Sequence, residues 1–137
     1  MPNWRDELIE VVKTKAEREA EDKERHKKRV EEALTSAEAA LELAIEALRF
    51  AREQIAGKGQ PVTLQDQKDQ ARLTMRDLGV AVELVRETAV IKVTFIEAKP
   101  REFDFAKDRH IAPADVEDYV GRRAVELLRA AHKAHPW

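Results

Sequence analysis

The sequence predicts a mainly α protein: a long antiparallel helical hairpin, coiled-coil-like with an alanine-rich seam, plus a C-terminal helix and a small β-hairpin at about 90–106. Three observations predict it. From Val30 to Ile55 the apolar residues step 4, 3, 4, 3 through Val30, Leu34, Ala37, Leu41, Ala44, Leu48, Ala51 and Ile55. That is a heptad seam with large aliphatics at one position and mostly alanine at the other, a pattern that lets a second helix approach closely. The same step recurs through Leu64, Lys68, Ala71, Met75, Leu78, Val82, Val85 and Ala89, with one polar slip at Lys68. Gly57, placed as a left-handed cap, then Gly59 and Pro61 make a short connection, so the two equal strips are expected to fold back on each other.

Composition points the same way. Charged residues make up 38% of the 137 and aromatics 5%, with only four glycines and five prolines, a balance that suits helices better than a sandwich or barrel. The formal net charge of −2 steers the chain toward neither nucleic acid nor anionic membrane. Without cysteine there is no disulfide, thiolate nucleophile or cysteine-ligated zinc, and a reducing, cytoplasmic setting is expected. No apolar run approaches the ~20 residues of a membrane span, and no signal peptide is expected.

Two regions are expected along the chain: an N-terminal amphipathic tip with a charged helical rod over 1–29, and a body over 30–137. Asn3 can cap the first helix, with Asp6 three residues on. Trp4, Leu8, Val11 and Val12, with Ala16 beyond them, then line one face. These four are the candidate partner-binding residues, and packing on the body is the plainer account of them. Apart from Ala20 and His26, residues 17–29 are all Glu, Asp, Lys or Arg, with favourable i,i+4 order at Glu19 to Lys23, Glu21 to Arg25 and Glu24 to Lys28. Such a stretch reads as a solvated rod of ~20 Å. Arg25, Lys27, Lys28 and Arg29 cluster within it and are the candidate nucleic-acid contacts, although no aromatic is interleaved to stack on bases.

The central seam is flanked by Ala33, Ala40 and Ala47, with Leu43, Ile45 and Phe50 partly off it, so more than one neighbour is needed to cover it. Thr63 is expected to cap the second helix, with Asp66 completing the box, and Gly79 to mark a close approach of a neighbouring helix. Val80, Ala81 and Leu84 widen its apolar surface. From Val90 the pattern turns β-branched. Ile91, Val93 and Phe95 alternate, a turn follows at Lys99 and Pro100, and Phe103 and Phe105 alternate with charges. Strands are expected over about 90–97 and 101–106; a second helix continuing to Glu97 is the alternative. Pro113 opens the last helix, with Asp115 and Asp118 in its first turn and Val116, Val120, Ala124, Leu127, Ala131 and Ala134 on its buried face.

The sequence carries few residues in patterns that point to a chemistry. None of the four histidines has an acid three residues before it, which disfavours a di-iron bundle site. His132 and His135 lie one turn apart without an assured third ligand. Ser36, the only serine, sits within a helix, and Gly57-Lys58-Gly59 is a helix stop, not a phosphate loop. The cluster of Asp104, Lys107, Asp108, Arg109 and His110 mixes acid, base and imidazole, and a salt-bridged loop accounts for it equally well. No catalytic residue, metal or cofactor is therefore assigned. The expectation is a non-enzymatic protein–protein interaction or oligomerisation module, an accessory or adaptor subunit binding a protein partner or itself, with a nucleic-acid-binding accessory protein as the alternative and an enzyme third.

Overall fold

A computed structural model describes residues 3–12, 15–95, 99–134 and 136, and leaves the side chains of residues 10–12 and 15 outside the description. Three helices and five strands follow in the order α1 (Trp4–Val12), α2 (Lys15–Gly57), β1 (Thr63–Gln67), β2 (Gln70–Met75), β3 (Leu78–Val85), β4 (Val90–Phe95), β5 (Arg101–Asp104) and α3 (Pro113–Ala134). The strands form one antiparallel meander in sequence order. α2 and α3 pack against each other and against the sheet. The result is a helical layer on a sheet layer, not the mainly α helical hairpin that the seams predict.

The overturned element is the second helix. Residues 63–85 are three strands. Thr63 starts β1 instead of capping a helix, and Asp66 pairs with Ala71 across the ladder while its carboxylate holds Arg49 of α2. The misreading has a physical cause. A step of 4 keeps a residue on one face of a helix and also on one face of a strand. Ala71 and Met75 share the inner face of β2, and Leu78 and Val82 share that of β3. The steps of 3 at Lys68 to Ala71 and at Met75 to Leu78 are hairpin turns: Gln67 pairs with Gln70 around Lys68-Asp69, and Met75 with Leu78 around Arg76-Asp77. Each turn holds one residue with positive φ, Asp69 at 62° and Arg76 at 57°, without glycine. The usual Asn-Gly punctuation of a two-residue hairpin is missing, so nothing local announces the turns.

In β2 burial alternates with period 2, with Ala71, Leu73 and Met75 inward and Gln70, Arg72 and Thr74 on the other face. Leu73, Val80 and Leu84 lie off the heptad step and are buried beside Ala71, Met75 and Val82. Gly79 sits on β3 opposite Thr74. A Cβ there would meet the Arg72 guanidinium at 3.3 Å and the Leu73 carbonyl at 3.4 Å, so the close approach is by a strand and its arginine, not by a helix. β4 and β5 pair antiparallel within the stretch read as a hairpin, and β3 on the far side of β4 removes the weakness of an isolated two-stranded ribbon. Ile96 and Glu97 lie outside the described residues.

Six of the eight seam residues of α2, Val30, Ala37, Leu41, Ala44, Leu48 and Ile55, are in the core, and Leu34 and Ala51 pack against it partly buried. What covers it is the sheet and α3 instead of a folded-back helix. α3 buries Val116, Val120, Ala124, Leu127 and Ala131, and Ala134 stays exposed. Asp115 caps its start, its carboxylate accepting the Ala112 N–H at 2.8 Å. At the sheet edge the Arg123 guanidinium lies over Tyr119 and Phe95, and Arg101 over Tyr119 and Phe103, closing the core with cation–π contacts.

Candidate interaction surface

α1 starts where Asn3 can cap it. The Asn3 side chain accepts the Arg5 N–H at 3.4 Å and its carbonyl accepts that of Asp6 at 2.9 Å. Trp4 is 65% exposed, Leu8 54% and Ile9 60%, so the apolar face of this short helix is not spent on the body. Such exposure of large apolar side chains is a mark of a contact surface. Of the four candidate partner-binding residues, Trp4 and Leu8 are thus accessible. Val11 and Val12 belong to α1, and their side chains lie outside the described residues. Ile9, which the sequence reading did not single out, joins the exposed face.

α2 continues the chain as one 43-residue helix. From Ala16 to Arg29 every residue is exposed. Arg25, Lys27, Lys28 and Arg29 therefore all face solvent, and Arg29 reaches a shallow crevice shared with Ser36, Phe105 and Arg109. Two acids of the mixed loop cluster turn onto the backbone. Asp104 accepts the N–H groups of Ala106 and Lys107 at 3.1 and 3.0 Å, and Asp108 accepts that of His110 at 2.9 Å. Their carboxylates hold the loop in shape, which is a structural use of the cluster. His132 is exposed, and His135 lies outside the described residues. Among the described residues no group of three or more His, Asp or Glu could hold a metal, and no helix is long and apolar enough to cross a membrane.

A concave surface lies between the two long helices. A trough of about 790 Å³ runs between α2 and α3, floored by the small residues Ala47, Ala51, Gly121 and Ala124. Phe50, 64% exposed, and Val125, 48% exposed, project at its lip. Around it stand Glu46, Glu117 and Asp118, with Arg122 held by Asp118 at 3.0 Å. The off-seam position of Phe50 was legible in sequence. Gly121 and Val125 were not, because their exposure depends on where α3 lands against α2.

A second polar cluster is a latch. Arg86, in the turn between β3 and β4, grips Asp69 of the first turn through Nε and Nη2 at 2.6 and 2.7 Å and Glu38 of α2 through Nη1 at 2.6 Å. The hydrogen-bonded Arg86 guanidinium holds the Asp69 carboxyl below the ordinary aspartate range, and Asp69, then Glu38, raise Arg86 in turn. The Asp69 carbonyl also accepts the Leu84 N–H at 2.7 Å. This cluster fastens turn to turn and turn to helix.

The chain matches no protein-family model, no curated protein and no solved structure.

Proposed function

We propose that this chain is a non-enzymatic protein–protein interaction module, a small accessory or adaptor subunit that presents an apolar arm to a protein partner. One observation carries the reading. Trp4, Leu8 and Ile9 remain exposed on α1, and the solvated rod of residues 16–29 separates them in sequence from the packed body. Aromatic and large aliphatic side chains on a short helix are the usual anchors of helix-in-groove recognition. We place the module in the cytoplasm, in keeping with a chain free of cysteine.

Removal of residues 1–16 tests the reading. The expected result is an unchanged thermal midpoint with loss of partner capture; a truncated chain that unfolds would make the segment part of the core. The exposed basic run Arg25, Lys27, Lys28 and Arg29 supplies the competing outcome. Oligonucleotide binding that weakens steeply with salt and disappears when these four are changed to glutamine would replace the protein-partner reading.

A further inference from the structure

We infer that the α2–α3 trough receives the α1 arm of a second copy of this chain. The inference rests on the interaction reading above and names its partner. Among the described residues, the exposed large apolar side chains gather on a convex and a concave surface: Trp4, Leu8 and Ile9 on α1, and the trough with Phe50 and Val125 at its lip. Within one copy they cannot meet. α2 is unbroken from Lys15 to Gly57. At a rise of ~1.5 Å per residue, Glu46, the first residue of the trough, lies about 46 Å along it from Lys15. Residues 3–14, even drawn out to full length, cover only about 40 Å, and as a helix α1 spans about 14 Å. An arm that falls short of its own trough can fill only another copy's.

The two surfaces also suit each other chemically. At about 100° per residue, Trp4, Arg5, Leu8 and Ile9 fall on one half of α1, and Asp6 and Glu7 on the other. The Arg5 guanidinium lies 5.5 Å from the centre of the Trp4 ring, so the apolar half of the arm is cationic. The lip of the trough is mainly acidic. Glu46 and Glu117 stand there beside the Asp118–Arg122 pair, whose cation is already neutralised. On the floor, a Cβ added at Gly121 would meet nothing within 4 Å, which leaves space for the indole. Two copies laid antiparallel along their α2 helices bring each arm to the other's trough. The exchange is reciprocal and closes as a dimer instead of growing into a filament.

The cysteine-free sequence makes the contact easy to report. Full-length Leu8→Cys mixed with full-length Val125→Cys under mild oxidation is expected to give a disulfide-linked pair containing one of each. The unmodified chain at tens of micromolar is expected to sediment as a dimer. Gly121→Trp fills the trough from within, at a position where the fold has room. It should abolish both the cross-link and the dimer, with the thermal midpoint retained. A dimer that persists without the mixed cross-link, or that survives Gly121→Trp, overturns the inference. So does a chain that sediments as a monomer throughout. In that last case, capture of a different protein that depends on residues 1–16 leaves the interaction reading standing, whereas no capture removes both.

Discussion

The two halves of α2 are one helix in two environments. From Ala16 to Arg29 every residue faces water; from Val30 to Ile55 a stripe of seven buried residues, Ala40 included, is sealed under the sheet and α3. Burial of a large aliphatic side chain is worth ~1.5–3 kcal/mol, whereas a favourable i,i+4 charge pair gives only ~0.2–0.5 kcal/mol. The body half is therefore helical because it is packed. The rod half is helical because it extends a helix already nucleated, which spares it the unfavourable first turn. The contrast lies in what holds each half: core burial in the body, helix continuity and charge pairs in the rod.

The largest loss of stability is expected in the body. Leu48, fully buried, is expected to cost about 3 kcal/mol on change to alanine, read as a lower midpoint in denaturant unfolding. The matching disruption in the rod, Ala20→Pro, should cost ~3 kcal/mol of local helix and lower the far-UV helical signal. It should shift the body's unfolding by less than about 0.5 kcal/mol, as distant sites do. A body destabilised as strongly as by Leu48→Ala would show that the halves are energetically one unit.

The latch adds to the contrast, because it ties the packed half of α2 to the sheet. The folded-state pKa of Asp69 is depressed, so the unfolded chain takes up its proton first as the pH falls. The stabilisation is fully present above the unfolded value of ~3.9 and fades as the pH drops through the lower folded value. Arg86→Ala is expected to lower the thermal midpoint at neutral pH and to flatten its fall below about pH 4. An unchanged acid profile would remove Asp69 from the latch.

The smallest effect is expected at a turn. Arg76 holds φ at 57° on a non-glycine residue. Arg76→Gly relieves that cost and should raise stability by up to ~1 kcal/mol, measured by chemical denaturation. A loss instead would show that the arginine side chain contributes more than its backbone strain costs.

Much of this architecture could be read residue by residue. The buried stripe of α2, the solvated rod and the buried face of α3 from Val116 to Ala131 all follow from periodicity and charge, which act within a few turns of chain. Segment 64–89 could not be read that way. Its apolar steps of 4 serve helix and strand alike, and its turns at Lys68-Asp69 and Arg76-Asp77 lack the residues that usually mark them. Leu73 and Val80, buried off the heptad step, held the clue, since a period of 2 needs both. For the surface, Trp4 and Leu8 were visible as one apolar face, for which packing on the body was the plainer account; their exposure, like the trough, came into view only with the structure.

Amino-acid order alone determined that α2 and α3 are helical, that residues 16–29 are solvated, and which face of α2 and α3 must be covered, because those properties depend on near neighbours. Only tertiary packing decided what does the covering. The alanine row of α2 accepts a pleated sheet as readily as a helix, and pairing across β1 to β4 satisfies backbone groups that a helix would have satisfied internally. The choice between them, and with it the apolar surface left over at Phe50 and Val125, was settled by contacts between residues far apart in sequence.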